Sequence, residues 1–500
     1  MTALRQHWLA AVLLTAGLVL RVLAQLAYRP ALFYIDTTRY LYNVAEGMDP
    51  VGYKGPLRAI LAVANFDAVA AVQHLLGLGM AVVIYLVLLR RGVPRWLAAL
   101  AMAPVLLDAY QVQIEQTIMP DTWFEALIVA GLAILLWRPA TTWRRAAVAG
   151  LVLGTSAIFA QVGEALLVPA VIYLLAVGGG WRQAAVRAAA LCAAFALPIL
   201  AYSTGNYVAT GNFFLSHDGV SSLYGRLAAA ADCATLDMTP AERRLPVPGP
   251  QRPGMCPARA LQAQGPDALE YNADSPIRAY YDRLPRPVVD DLISRFNHQV
   301  LSQQPLRVLG AYARDVVRLF ALTRDGSPGA TPISRWQFQT AYPYFGPHAS
   351  RQVVGTATTR FGGGRPAVWR PAAAFLRSYQ LDGGYTPGPL FALLAVAGLI
   401  GSAALLRRRL DPPTRQLALA CLLMFTSAAA VLLVSDVFEF SWRYQLPALV
   451  TLVPAGALGI AVMLRGIGSA AAAPPAPADR PQAAPPARIP RSPAPEAPRA

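Results

Sequence analysis

Long apolar segments limit what this chain can fold into more than any other feature. About ten of them match, or nearly match, a bilayer hydrocarbon core of roughly 30 Å. They lie at 8–27, 69–89, 95–109, 120–137, 146–160, 164–178, 187–203, 387–406, 416–434 and 446–464. Only 14% of the 500 residues are charged, whereas soluble domains average about a quarter. The sequence therefore predicts a mainly α-helical, polytopic membrane protein with about ten transmembrane helices.

The positive charge is distributed in a way that predicts a topology. The chain has 43 Lys and Arg against 27 Asp and Glu, an excess that could indicate nucleic-acid binding. However, the arginines cluster at the ends of apolar segments. With the N-terminus in the cytoplasm, every short cluster lies inside, as the positive-inside rule requires: Arg90, Arg91, Arg95; Arg138, Arg144, Arg145; Arg182, Arg187; Arg407, Arg408, Arg409, Arg415; and Arg465. The first segment lacks a small-residue cleavage site, so we expect a retained anchor in the plasma membrane and no nucleic-acid partner.

This topology divides the chain into four parts. An N-terminal transmembrane module (1–203) includes a first external loop at 28–68, and C-terminal transmembrane helices occupy 387–468. Between them, 204–386 is polar and large enough for a small extracytoplasmic domain. An Ala/Pro-rich tail (469–500) is predicted to be disordered in the cytoplasm. Cys233 and Cys256 lie in the external segment, where either a disulfide or two free thiols is compatible with the sequence.

Acidic residues occur in four of the predicted external connections, on the same side of the membrane. They are Asp36, Glu115, Asp121, Glu164 and Glu439, and Arg443 follows the last of them. Ionisable groups at membrane depth are costly and often mark a site, although a single loop acid is more commonly just solvated. Asp36 begins "DTTRYLYNV", whose pattern predicts a helix lying along the membrane interface. At such a position a carboxylate can act as a general base toward a hydroxyl.

The first segments resemble a known family. A late arginine in the first helix, Arg21 in "LVLRVLAQL", is followed by Asp36 early in the first external loop. This arrangement resembles the GT-C superfamily of integral membrane glycosyltransferases, which use polyprenyl-phosphate sugars. "DPVGYKGPLRAIL", "IEQTIMPDTWFEAL" and "RYQLPALVTLVPAG" agree with it. "QHLLGLGMAVVIYLVLLRRGVPRW" and "PVLLDAYQ" resemble an actinobacterial branch. The likeness covers the N-terminal module and the last helix, but not 204–386.

The resemblance implies roles for several acidic residues. Asp36 would be the catalytic base or the carboxylate that positions the acceptor. Asp121, or Glu115, would be the second acidic position, which in some members helps bind a metal or the acceptor. Many members have an acidic pair in the first loop, whereas here Thr37 follows Asp36. This departure favours metal-independent transfer and leaves a divalent metal as an open alternative, because Mg²⁺ or Mn²⁺ needs several oxygen ligands.

A polyprenyl-phosphate donor brings negative charge to the interface and an apolar chain into the bilayer. Arginine binds phosphate as a bidentate fork, and lysine binds it as a point charge. The predicted donor-phosphate ligands are Lys54, the chain's only lysine, with Arg58, Arg443 and Arg39. The other partners would be membrane lipids and an extracytoplasmic glycan, lipid or protein acceptor.

Three other functions remain open at this point. An O-antigen-type polymerase or ligase would depend chiefly on arginines and a histidine. A transporter or flippase of lipid-linked sugars would often show internal repeats, and none is found in the sequence. A non-catalytic scaffold is the third. The hypothesis we favour is an inverting hexosyl or pentosyl transfer at the outer face of the membrane.

Overall fold

The computed structural model describes residues 5–42, 50–216, 219–237, 255–326, 331–407 and 410–471. Arg408, Arg409 and the predicted tail from 472 onward lie outside these ranges. The first part of the chain forms helices α1 (Trp8–Ala27), α2 (Thr37–Tyr42), α3 (Lys54–Leu61), α4 (Phe66–Arg90), α5 (Arg95–Leu107), α6 (Ala109–Gln116), α7 (Asp121–Leu136), α8 (Trp143–Ala157), α9 (Leu167–Ala176) and α10 (Trp181–Thr210).

The rest of the described chain is also mainly helical. It forms α11 (Gly219–Ala230), α12 (Arg259–Gln262), α13 (Pro266–Tyr271), α14 (Pro276–Tyr281), α15 (Arg286–Gln303), α16 (Pro305–Arg318), α17 (Arg351–Phe361), α18 (Arg370–Leu381), α19 (Gly388–Ala403), α20 (Pro412–Phe438), α21 (Pro447–Val450) and α22 (Leu452–Ala471). Short 3₁₀ helices lie at Gln161–Leu166, Ile333–Trp336 and Ala404–Leu406. Strands β1 (Tyr28–Arg29) and β2 (Ala367–Val368) form an antiparallel pair.

Among the described residues, six helices are long and apolar enough to cross a membrane. They are α1, α4, α10, α19 with its 3₁₀ extension, α20, and the segment Pro447–Gly466. A seventh span results if α5 and α6, which meet at a bend of 50°, are counted together. The protein is therefore a mainly helical, polytopic membrane protein. The six helices do not establish ten spans, because α7 and α8, with 16 and 15 residues, reach only about 24 Å at 1.5 Å per residue.

Described arginines from several basic clusters lie at one end of the helix bundle, which we call the arginine-rich end. At the end of α4, Arg91 donates from Nε to the Leu136 carbonyl oxygen at 2.8 Å and from Nη2 to the Arg138 carbonyl oxygen at 3.0 Å. From α22, Arg465 donates to the Gly92 carbonyl oxygen at 3.4 Å. Helices that are far apart in sequence thus end together at this end of the bundle.

The segment 204–386 has two parts. Helices α11 to α15 share a separate apolar core, which includes Tyr224, Ile293 and Cys256, and a disulfide joins Cys233 to Cys256. The later part packs against the membrane module: Tyr28 of β1 pairs with Val368 of β2. This pairing holds the first loop against the large segment.

A buried polar cluster crosses the middle of the N-terminal module. Arg21 of α1 forms an ion pair with Glu115 of α6 at 2.7 Å, and both side chains are almost fully buried. His74 of α4 joins the Glu115 carboxylate (3.0 Å) to the Gln116 side chain (2.8 Å) through its two ring nitrogens. Gly77 is needed beside them, because a Cβ there would lie 2.1 Å from Glu115 Oε1. These contacts join α1, α4 and α6.

Glu115→Ala is expected to destabilise the fold by about 3–5 kcal/mol, because it leaves the buried Arg21 guanidinium without its carboxylate partner. We expect a clear fall in the temperature at which detergent-solubilised protein loses its monodisperse peak on heating. Glu164→Ala is the matched control, because Glu164 is exposed. Equal heat resistance of the Glu115→Ala and Glu164→Ala variants would contradict a stabilising role for the Arg21–Glu115 ion pair.

Candidate functional site

A cavity of about 820 Å³ lies at the opposite end of the bundle from the arginine-rich end. Its walls come from the first loop, the start of α7, the connection after α20 and the large segment 204–386. The charged residues that line it are Asp36, Arg39, Asp121, Glu125, Asp267, Glu270, Arg278, Asp282, Arg335, Glu439 and Arg443. The cavity therefore lies between the membrane helices and the large segment.

Arg443 connects two carboxylates from different parts of the chain. It binds Asp121 side-on, with Nε to Oδ1 at 2.6 Å and Nη2 to Oδ2 at 3.0 Å, and its Nη1 lies 3.4 Å from Asp36 Oδ2. The three side chains are partly buried, with 11%, 14% and 18% of their surface exposed for Arg443, Asp121 and Asp36. Burial acts to lower the pKa of Arg443, but the neighbouring Asp121, Tyr444 and Asp36 outweigh it and raise that pKa well above its usual range.

The backbone of the first loop brings Asp36 to this place. The Leu32 N–H donates to the Gln116 carbonyl oxygen at 3.0 Å, and the Leu32 carbonyl oxygen accepts from the Ile118 N–H at 2.9 Å. The Thr37 hydroxyl then donates to the Ile118 carbonyl oxygen at 3.0 Å. These bonds fasten the loop to the chain that leads into Asp121 at the start of α7. Asp36 immediately precedes α2, as the sequence predicts.

A second charged group lies on the wall formed by the large segment. Arg335 donates from Nη1 to the Tyr34 hydroxyl at 3.2 Å and forms an ion pair with Asp267 at 3.3 Å. Burial, together with the charge of Asp36, raises the pKa of Tyr34 to about 12, so this hydroxyl stays neutral. The Trp336 ring contacts both Tyr34 and Arg443. Its centroid lies 4.7 Å from the centroid of the Tyr34 ring and 5.3 Å from the guanidinium carbon of Arg443.

The cavity also has an apolar side. Phe124 of α7, Phe159, Val162 and Phe438 are among its lining residues. Phe159 stacks on Trp123 at 6.4 Å between ring centroids. The lining of one cavity thus includes arginines, carboxylates and apolar side chains. Such a surface is complementary to an amphiphilic ligand with a charged head.

The other predicted site residues lie in different places. Arg39 lines the cavity, 3.8 Å from Asp36. Glu115 is fully buried in the cluster with Arg21 and is not among the described residues that line the cavity. Lys54 and Arg58 lie on α3, and neither is among the described residues that line the cavity. Their assignment as donor-phosphate ligands stays a prediction.

The described residues do not offer a ready metal site at this cavity. No group of three or more His, Cys, Asp or Glu side chains among them is placed to hold a metal ion. The guanidinium of Arg443 occupies the space between Asp36 and Asp121. A divalent cation bound by these two carboxylates would have to displace it, so the residues do not fit the metal that the family resemblance left open.

Sequence reasoning missed the roles of three cavity residues. Tyr34 and Arg335 stand in aromatic stretches, "LFYID" and "RWQFQ", whose commonest role is packing. Glu439 belongs to the external acids, but its sequence context assigns it no role. The spacing of these residues contains no signal that they meet, because they are about 100 to 400 positions apart in the sequence.

Comparisons with known proteins identify one structural similarity. The chain resembles the archaeal oligosaccharyltransferase AglB from Archaeoglobus fulgidus, solved in complex with an inhibitory peptide and a dolichol-phosphate, at 14% identity and a TM-score of 0.36. The match covers 94% of this chain and 53% of that chain, so this chain spans about half the length of that protein. No family model matches the sequence, and neither does any curated protein. A similarity this low carries no argument about function. The fold and the cavity alone define the class: a polytopic, mainly helical membrane protein with a charged, amphiphilic cavity at one end.

Proposed function

We propose that this protein is a membrane glycosyltransferase of the GT-C superfamily. It moves a sugar from a polyprenyl-phosphate donor to an extracytoplasmic acceptor, with inversion and with Asp36 as the base. The observation that carries the proposal is the combination of Arg443, fixed by two carboxylates, with an apolar wall in the same cavity. Family membership rests on the sequence resemblance around Arg21 and Asp36.

The arginines support binding of the donor phosphate. Arg443, Arg335 and Arg39 all line the cavity, and a guanidinium binds phosphate through paired N–H donors. The isoprenoid chain would lie along Phe124, Phe159 and their apolar neighbours. In this arrangement the sugar lies between the phosphate and the acidic wall.

The two carboxylates on Arg443 have different roles in the proposal. Asp121 engages the guanidinium with both oxygens at 2.6 and 3.0 Å, whereas Asp36 is held by single, longer contacts of 3.4 and 3.8 Å. Asp121 therefore fixes Arg443, and Asp36 keeps oxygen lone pairs for an acceptor hydroxyl. Positioning and charge stabilisation supply most of the catalysis.

The proposed transfer forms one bond and breaks another at the anomeric carbon of the donor sugar. Asp36 takes the proton of the acceptor hydroxyl as its oxygen bonds to the anomeric carbon. The bond from that carbon to the phosphate oxygen breaks, and its electron pair leaves with the polyprenyl phosphate. Attack from the face opposite the phosphate inverts the anomeric centre.

Ten membrane crossings and an outward-facing cavity complete the proposal. The short helices α7, α8 and the Gln161–Ala176 segment would cross with the longer ones, which places the arginine-rich end in the cytoplasm. The Cys233–Cys256 disulfide lies in the segment that would then be external, and disulfides persist in oxidising compartments. The proposed location of the protein is the plasma membrane.

Photo-crosslinking tests the donor site. A benzophenone-bearing farnesyl phosphate is irradiated with the purified protein in nanodiscs, and the labelled peptides are mapped by mass spectrometry. We expect labels on the α7 and 159–162 peptides, and competition by unlabelled farnesyl phosphate. Labelling confined to the lipid-facing surface of α10, without competition, would contradict the proposal.

A further inference from the structure

Glu439 differs from Asp36 and Asp121, which line the same cavity, in its contacts. It follows α20 directly and lies on the same connection as Arg443. Its Oε1 accepts a hydrogen bond from the Thr331 hydroxyl at 3.0 Å. Its Oε2 is buried and has no hydrogen-bond partner among the described residues. Asp36 and Asp121, in contrast, are both in contact with a guanidinium.

The charged groups around Glu439 are Asp267, Arg335 and Arg226. Arg335 is already paired with Asp267 at 3.3 Å, and Arg226 is paired with Asp315 at 2.5 Å. Neither arginine forms an ion pair with Glu439 among the described contacts. A buried carboxyl without a close cation favours its neutral form, because burial penalises the charged one.

The pKa of Glu439 agrees with its buried position and its lack of an ion-pair partner among the described residues. Burial, reinforced by the charge of Asp267, raises the pKa of Glu439 to about 7, while the Thr331 hydrogen bond, Arg335 and Arg226 act in the opposite direction. Glu439 and Asp36 thus have separate electrostatic environments in one cavity, because only Asp36 lies close to guanidinium groups. Such a separation is how enzymes assign acid and base roles to two carboxyl groups.

We propose that Glu439, which lines the cavity, is the general acid of the transfer and donates its proton to the oxygen of the departing phosphate. This inference rests on the proposed function and deepens it. As the bond from the anomeric carbon to the phosphate oxygen breaks, Glu439 becomes a carboxylate and the product leaves as the hydrogen phosphate monoester. Asp36 holds the acceptor's proton. Water then takes the proton from Asp36 and returns one to Glu439, so the cycle balances.

The test uses farnesyl phosphate as a probe of the leaving group and requires no turnover. Its affinity for the purified full-length protein is measured by calorimetry from pH 6 to pH 8.5, for wild type and Glu439→Gln. The phosphate of the probe titrates in the same way with wild type and with Glu439→Gln. The ratio of the two affinities therefore isolates the effect of Glu439 protonation on binding. Wild-type binding relative to the variant is expected to weaken by about tenfold from pH 6 to pH 8, as the proton needed for binding is lost. Glu164→Gln, which changes an exposed acid outside the cavity lining, should follow the wild type.

A second variant keeps the test independent of how well Glu439→Gln folds. Thr331→Val removes the hydrogen bond that favours the ionised form, so the midpoint of the wild-type transition should move to higher pH. Parallel pH profiles for wild type and Glu439→Gln, or an unmoved midpoint in Thr331→Val, would overturn the inference and leave the proposed function standing. Absence of saturable binding by wild type at every pH would instead overturn the donor site, and this inference with it.

Discussion

Asp36→Asn is expected to lower the rate of sugar transfer by about 10²–10⁴-fold, the usual contribution of a positioned proton acceptor. The amide retains the size of the side chain and can still accept a hydrogen bond from Arg443, but it cannot take the acceptor's proton. Arg443 stays fixed by Asp121 at 2.6 and 3.0 Å, so the variant should remain folded.

The measurement is the initial rate at saturating donor, with size-exclusion profiles and melting temperatures as folding checks. Glu164→Gln is the matched control, because it neutralises an exposed acid at the same end of the bundle. A variant that folds and transfers at the wild-type rate would remove Asp36 from the mechanism.

Arg443→Ala is expected to weaken farnesyl phosphate binding by about 10- to 100-fold, since hydrogen bonds to charged groups contribute about 1.5–3 kcal/mol. It also leaves Asp36 and Asp121 facing each other without the cation between them. Their mutual repulsion disfavours a phosphate in the same cavity.

Arg443→Lys separates the effect of the positive charge at this position from the effect of the planar guanidinium group. Lysine keeps the positive charge but lacks the planar fork that contacts both oxygens of Asp121, so we expect binding between that of wild type and Arg443→Ala. Arg283→Ala, at an exposed position outside the cavity lining, controls for loss of net charge. Wild-type affinity in Arg443→Ala would exclude this residue as a phosphate ligand.

The Asp36 and Arg443 variants also distinguish the proposed glycosyltransferase mechanism from an O-antigen-type polymerase or ligase. An O-antigen-type polymerase or ligase would depend on arginines and a histidine, and His348 lines the cavity. Transfer that survives Asp36→Asn but is lost in Arg443→Ala and His348→Ala would favour that alternative over the proposed mechanism.

The membrane class and the meeting of distant acids with Arg443 were both predictable from the sequence, for physical reasons. The bilayer determines how long an apolar segment must be and on which side arginines cluster, so both features are visible in short stretches of sequence. Because every crossing reverses direction, connections on one side share an interface, which is why the sequence alone groups Asp36, Asp121 and Glu439. The structure places all three around one cavity.

The sequence does not predict how deeply each acidic residue lies within the helix bundle. Glu115 is six residues from Asp121, yet the bend between α5 and α6 turns it inward to Arg21 and His74. Nothing in the local pattern separates an acid at the cavity from one buried below it. Likewise, Arg335 reaches Tyr34 only because the large segment folds back over the first loop.

The most direct test of the central claim is transfer or hydrolysis of a panel of polyprenyl-phosphate sugars by purified wild type and Asp36→Asn, with and without EDTA. The proposal predicts cleavage of a donor by wild type, the same rate in EDTA, and a loss of about 10²-fold or more in Asp36→Asn. Equal cleavage by both proteins would contradict the role of Asp36. Movement of intact lipid-linked sugars across a proteoliposome membrane, with no donor cleaved, would contradict the enzyme and establish a transporter.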